Sequence, residues 1–194
     1  MILGVVHPHN YLMPMPCVKS WLSVARKYGI YSVEGPYIYD NRNKLLQIAK
    51  EENSSILMID ADIVFTQANV DKVEIMLREY PLPVTQIGAI TGIYALSNGK
   101  SPVFKRTEGD YEYTDVPKAT EQISACGGGF LGLSKKLVQA LPDNAFDNVF
   151  EGNVMHGEDI SVCHRINEKG HKIYCDPSIK VGHVRTQVLY PVNV

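Results

Sequence analysis

Short apolar runs alternate with helical stripes over the first third of the chain. Ile2 to Val6 is a continuous apolar run, read as a fully buried strand, and His7-Pro8-His9-Asn10 breaks it. Pro16 to Lys27 carries Val18, Trp21, Leu22 and Ala25 at helical spacing, with Gly29 as a stop signal. Ile30 to Val33 predicts a second strand, closed by Gly35-Pro36. Asp40 is placed to cap a helix from Asn41 to Glu52, whose buried stripe is Leu45, Leu46, Ile48 and Ala49. Ile56 to Ile59 is another buried strand, which delivers the chain to Asp60-Ala61-Asp62. Thr66 predicts the cap of a helix reaching about Glu79.

The pattern then changes. Val84 to Tyr94 is strand-like, and Val103 to Val116 has two extended arms around Glu108-Gly109-Asp110, a hairpin signal. Gln122 to Leu133 is extended but interrupted by Gly127-Gly128-Gly129, and Ser134 starts a short helix. Glu158 to Glu168 predicts a helix stopped by Gly170. Lys172 to Cys175 and Ile179 to His183 predict two closing strands. Strand–helix alternation followed by mixed elements predicts an α/β fold: a mostly parallel central sheet flanked by helices, with a small antiparallel hairpin region. A chain of 194 residues suits one domain, taken as 1–183, with 184–194 a C-terminal tail or lid.

Composition narrows the function classes. Apolar residues at 45% and charged residues at 21% are ordinary for a soluble globular protein. A net charge of -2, with Lys and Arg dispersed, argues against a nucleic-acid partner. Cys17, Cys126, Cys163 and Cys175 show no C-x-x-C spacing, so four reduced thiols in a cytosolic protein are expected. The N-terminus lacks the basic region and long apolar stretch of a signal peptide, and a soluble cytoplasmic protein is the expectation.

The candidate chemistry starts at Asp60-Ala61-Asp62. In an open α/β sheet, ligands bind outside the carboxyl ends of the strands. Residues i and i+2 of an extended segment face one side, and two carboxylates there repel each other unless a cation joins them. Mg²⁺ or Mn²⁺ bridging to a diphosphate is one reading, and a solvated turn with capping aspartates is the other. Gly157-Glu158-Asp159 opens a helix, where the dipole keeps a carboxylate ionised; the same carboxylate suits a proton acceptor for an attacking hydroxyl. His183, near the end of the last strand, draws its weight from such company, since a neutral imidazole beside carboxylates suits Mn²⁺. Gly127-Gly128-Gly129 reads equally as a bulge or as a substrate-facing loop. Arg42, in the expected first turn of its helix, is either a surface residue or a partner for phosphate.

These pieces, in this order, resemble glycosyltransferases with the GT-A fold, of the family 2 type. The likeness is carried by Ile56-Leu57-Met58-Ile59-Asp60-Ala61-Asp62, by Gly128-Gly129-Phe130-Leu131-Gly132-Leu133-Ser134-Lys135-Lys136, by Gly157-Glu158-Asp159-Ile160-Ser161-Val162-Cys163-His164-Arg165, and by Val181-Gly182-His183. The compact size resembles enzymes of this type from viruses and prokaryotes. The resemblance implies Asp159 as catalytic base with Glu158 as its acceptor-side neighbour. It implies Asp62 as main metal ligand, completed by His183, with Asp60 facing the nucleotide and the metal. His7, Pro8, Arg42, Asp60, Ala61, Asp62, Gly128 and Gly129 would line the donor site. Mn²⁺ or Mg²⁺ is the implied cofactor and a UDP- or GDP-linked sugar the implied donor. The acceptor is left open among glycan, protein and lipid, as is a homo-oligomer, and a viral source would place the enzyme in host cytoplasm. The lone Trp21 excludes the processive synthases, which carry a Gln-x-x-Arg-Trp segment.

Two rivals follow from the same residues. Asp60-Ala61-Asp62-Ile63-Val64 fits the opening motif of a haloacid dehalogenase-type phosphatase, although that strand usually lies near the N-terminus. A non-catalytic nucleotide-sugar binder would keep the acids without turnover.

Overall fold

A computed structural model describes residues 1–8, 12–79, 87–108 and 110–185. His9 and Asn10 of the expected strand break, Val84 to Gln86 of the expected strand start, Gly109 of the hairpin turn and 186–194 of the tail lie outside the described residues.

The chain opens as the hydrophobic pattern predicts: β1 (Ile2–Pro8), α1 (Met15–Val24), β2 (Ile30–Gly35), α2 (Ile38–Glu51) and β3 (Ile56–Asp60). There follow β4 (Ile63–Val64), α3 (Gln67–Glu79), β5 (Ile87–Ile93), β6 (Val103–Arg106), β7 (Tyr111–Tyr113), β8 (Glu121–Ile123), β9 (Ala125–Cys126) and β10 (Phe130–Leu133). The last part holds α4 (Lys135–Ala140), β11 (Val149–Glu151), β12 (Val154–His156), α5 (Glu158–Glu168), β13 (Lys172–Lys180) and β14 (Gly182–His183).

Seven strands form the central sheet in the order β2-β1-β3-β10-β5-β13-β8. The strands β2, β1, β3, β5 and β13 run one way, and β10 and β8 run against them. The sheet is therefore mostly parallel, with β10 wedged antiparallel between β3 and β5. Alternation along β3 shows why its run is apolar throughout. Ile56 and Met58 face a core shared with Leu45 and Leu46 of α2, Leu137 of α4 and Val162 of α5. Leu57 and Ile59 face the opposite core, with Trp21 of α1 and Val70 and Val73 of α3. Both faces are covered, as parallel strands require.

Several local expectations shift. Helix α2 begins at Ile38, with Tyr37 at its N-cap, and Asp40 sits inside the first turn paired with Lys44 at 2.6 Å. Thr66 does cap α3: its Oγ1 accepts from the Asn69 amide at 3.3 Å, and Asn69 Oδ1 returns the bond to the Thr66 amide. The two closing strands are one bulged strand, β13, followed by β14. Its register shifts between Cys175 and Lys180, around Pro177, which has no N–H to donate to a ladder. The expected hairpin forms between β6 and β7. A second hairpin, β11–β12, has no counterpart in the sequence reading. All four cysteines are buried free thiols. Among the described residues, no helix is long and apolar enough to cross a membrane.

Candidate active site

The carboxyl ends of β1, β3, β5 and β13 lie along one edge of the sheet, and Asp60 ends β3 there. Backbone bonds hold the following turn from both sides: the Asp60 amide donates to Gly129 O at 3.0 Å and the Ala61 amide to Val6 O at 3.1 Å. Val6, Pro8, Ile38, Asp60, Ala61 and Asp62 enclose a small cavity of about 80 Å³. Four of the expected donor-site residues thus share one cavity. His7 contributes differently: its carbonyl accepts from Asn41 Nδ2 at 3.0 Å, and its ring Nδ1 lies 3.2 Å from Pro8 O.

Three consecutive polar residues of α2 are buried, and each has a specific reason. Asn41 Nδ2 ties the ends of β1 and β2 together through His7 O and Gly35 O. Arg42 is only 2% exposed; its Nη1 donates to Gly128 O at 2.6 Å and its Nη2 to Asp60 Oδ1 at 2.8 Å. Asn43 accepts from the Phe146 amide and donates to Asp147. Arg42 therefore reaches the site from beneath, with both terminal nitrogens spent inside the protein. Its Nε lies 3.9 Å from Glu158 Oε1 at the start of α5. Burial opposes the guanidinium charge, but Asp60, Glu158 and Asp159 outweigh it and hold its pKa above the ordinary value. One buried cation thus links the end of β3, the glycine segment and the first turn of α5.

Close approach explains the three glycines. A Cβ on Gly128 would stand 2.6 Å from Arg42 Cζ and Nη1. A Cβ on Gly127 or Gly129 would meet the Tyr94 hydroxyl at 2.6 or 2.8 Å. The Gly129 amide donates to that hydroxyl at 3.0 Å. Tyr94 is buried, and desolvation, with Asp60 adding to it, pushes its phenol well above the ordinary range. It is a site-shaping residue that sequence reasoning missed, because an apolar-looking Ile93-Tyr94 at a strand end carries no motif.

The second aspartate has a different partner. Asp62 Oδ2 lies 3.1 Å from His183 Nε2, and His183 Nδ1 lies 3.1 Å from Ala95 O. A carbonyl only accepts, so Nδ1 donates to Ala95 O and Nε2 is the ring nitrogen that faces the Asp62 carboxylate. With Nε2 unprotonated, the imidazole and the carboxylate would offer a cation two ligand atoms side by side. Cis ligands of an octahedral ion with bonds of about 2.1 Å stand about 3.0 Å apart, so this donor pair fits a hard divalent ion. The pairing is enforced by the backbone: β14 runs antiparallel to β4, and the Val184 amide donates to Asp62 O at 2.8 Å. The Tyr94 ring meets the His183 ring edge-on, with centroids 5.8 Å apart. Among the described residues, no three His, Cys, Asp or Glu side chains converge as a metal cage. Asp60 turns to Arg42, and burial, with Asp62 and Glu158 nearby, raises its pKa against the pull of that guanidinium.

Glu158 and Asp159 form the first turn of α5. Asp159 Oδ1 accepts from the Ile160 amide at 2.8 Å. Desolvation and the adjacent Glu158 carboxylate raise its pKa above the ordinary carboxylate value. Such a shift makes a carboxylate a better proton acceptor near neutral pH.

No protein-family model matches the sequence, and no curated protein matches it by sequence. Solved structures do match. A197 from STIV is 14% identical, covers 100% of this chain and 99% of its own, and superposes with a TM-score of 0.66. GalNAc-T7, solved with UDP, GalNAc and Mn²⁺, is 12% identical with a TM-score of 0.64; the match covers 95% of this chain and 44% of that one. A glycosyltransferase involved in glycosylation of the major capsid of PBCV-1 is 13% identical, with 96% and 95% coverage and a TM-score of 0.54. At these identities the likeness shows the fold alone, which is the GT-A fold. In that fold Asp60 closes the third strand of the chain, unlike the near-N-terminal aspartate of the phosphatase reading.

Proposed function

We propose that this chain is a metal-dependent glycosyltransferase that moves a sugar from a UDP- or GDP-linked donor to an acceptor hydroxyl with inversion. The observation that carries the reading is the Asp62–His183 pair, 3.1 Å apart at the carboxyl edge of the sheet and beside Asp60. The neighbour solved with UDP and Mn²⁺ supports the choice of ligands.

Asp62 and His183 would hold Mn²⁺ or Mg²⁺, whose charge would stabilise the departing diphosphate. Pro8, Asp60 and Ala61 receive the nucleotide, and Arg42 fixes Asp60 and Gly128 from below. Asp159 takes the proton from the acceptor hydroxyl as its oxygen attacks the anomeric carbon. The bond to the diphosphate breaks, and its electron pair leaves with the diphosphate. Glu158 lies on the acceptor side and tunes Asp159. Residues 1–183 act as one catalytic unit in the cytoplasm, host cytoplasm for a viral source. An acceptor on a capsid protein fits the relative named for such a role.

A thermal-shift screen of UDP- and GDP-linked sugars with and without Mn²⁺ tests the reading. A cognate donor at a hundredfold excess over its Kd adds about 2.7 kcal/mol of apparent stability. The expected result is a shift that needs Mn²⁺, followed by transfer or slow donor hydrolysis. Binding without either reaction identifies a non-catalytic binder, and a phosphoenzyme at Asp60 identifies the phosphatase.

A further inference from the structure

The outer side of α1 leaves large apolar side chains in solvent. Leu12, just before the helix, is 90% exposed, Met15 is 65% and Leu22 is 69%. Among the described residues, three of the four most exposed large apolar side chains therefore lie on this one segment. The inner side of α1 is already engaged: Cys17, Trp21 and Val24 are buried in the protein. The Phe65 amide donates to Ser20 Oγ at 3.0 Å and fixes the helix against β4.

Cations alternate with the exposed apolar residues. Met15, Lys19 and Leu22 recur at i, i+4 and i+7, and Arg26 in the turn beyond continues the stripe. Lys19 and Arg26 are exposed and form no ion pair among the described residues. The third cation, Lys27, pairs with Asp71 at 2.8 Å, and Glu74 is engaged by Tyr28 and Arg78. No Asp or Glu occurs before Glu34, so residues 1–33 carry positive charge only, in a chain whose formal net charge is -2. A groove of about 410 Å³ lies between α1 and β4, with Lys19 on its wall beside Pro16, Val64 and Phe65.

We propose that this face of α1 docks the protein on an anionic lipid bilayer. Leu12, Met15 and Leu22 enter the acyl boundary, and the stems of Lys19 and Arg26 lie along it with their charged ends among the phosphates. The groove gives a headgroup room beside Lys19. Two features select a bilayer over a protein partner. The apolar side chains project from the convex face of a helix, which suits insertion into a fluid layer. They are also interleaved with unpaired cations, whereas a protein interface gathers its apolar residues in a centre depleted of charge. The chain as a whole is slightly negative, so attraction to an anionic surface has to come from this acid-free segment. Docking here also orients the molecule. Strands β1 and β2 are parallel, so α1 runs back from the carboxyl edge of the sheet, and its Met15 end lies on the side where Pro8 lines the cavity around Asp60–Asp62. A bilayer against α1 therefore reaches that edge.

Flotation of the full chain with vesicles tests the proposal, comparing pure phosphatidylcholine with equal parts phosphatidylcholine and phosphatidylglycerol. The expected result is binding to the mixed vesicles only, weakened by added salt. Lys19→Gln and Arg26→Gln should each weaken it about fivefold, the contribution of one cation near an anionic surface. Leu22→Ser should weaken it about tenfold through lost apolar insertion. All three side chains are exposed, so the variants keep the wild-type melt. Failure of the wild type to bind the mixed vesicles, equal binding to both kinds, or undiminished binding by the three variants overturns the proposal. Self-association that the same substitutions abolish, without vesicle binding, assigns the face to a second copy of the chain and overturns it as well.

Discussion

Arg42, 2% exposed, donates through Nη2 to Asp60 Oδ1 at 2.8 Å, so the aspartate that ends β3 is set by a cation buried beneath it. The same guanidinium fixes Gly128 O and faces Glu158. Arg42→Met should cost roughly 3 kcal/mol, because it strands the carboxylate of a paired charge. Asp60 is 29% exposed, which keeps the loss at the lower end. Arg42→Lys should recover only part, since an ammonium lacks the fork that reaches both Gly128 O and Asp60. Chemical denaturation of the three proteins measures the order; equal stability of Arg42→Met and wild type would contradict it.

Gly128→Ala places a methyl 2.6 Å from the guanidinium. Arg42 is held in place, because both its terminal nitrogens are bonded. The substitution should cost about 1–3 kcal/mol, as overpacking does, and raise the donor KM by displacing Asp60. Alanine at Gly99, where the Cβ meets open space but φ is +75°, should lower stability by backbone strain without touching donor KM. Steady-state kinetics beside thermal melts separates the two.

The pH dependence of transfer follows from Asp159. Burial and Glu158 raise its pKa, so the base form is lost as pH falls through a value above the ordinary carboxylate range. Glu158→Gln removes a like charge, which favours ionised Asp159. The acidic limb of kcat should therefore move to lower pH. Asp159→Asn should lower kcat by about 10²–10⁴ with donor binding retained. An acidic limb that stays fixed in Glu158→Gln would remove Asp159 from the role of base.

Much of this architecture is legible locally. The buried run Ile56 to Ile59 and the helix Glu158 to Glu168, with Gly170 beyond it, depend on neighbours in sequence, and the pattern places them correctly. The GT-A resemblance rests on those same segments. What depends on distant partners is not legible. Arg42, in the expected first turn, reads either as a surface residue or as a partner for phosphate, yet it is buried with Asn41 and Asn43 on either side, because each finds acceptors that arrive from elsewhere in the chain. Gly127-Gly128-Gly129 stays ambiguous until Arg42 and Tyr94 are seen to fill the space a Cβ would take. The β4–β14 ladder joins two-residue strands that have no periodicity of their own, and it brings His183 to Asp62. Tyr94 and the β11–β12 hairpin carry no motif.

The central claim, that Asp62 and His183 together bind a divalent ion used by a nucleotide-sugar donor, is tested most directly by calorimetric titration of Mn²⁺ in the presence of UDP or GDP. Wild-type protein should bind Mn²⁺ and nucleotide cooperatively. Asp62→Ala and His183→Ala should each lose that coupling while keeping a cooperative melt, and the double variant should be no worse than either alone, as expected of two ligands to one ion. Undiminished Mn²⁺ coupling in both single variants would contradict the account.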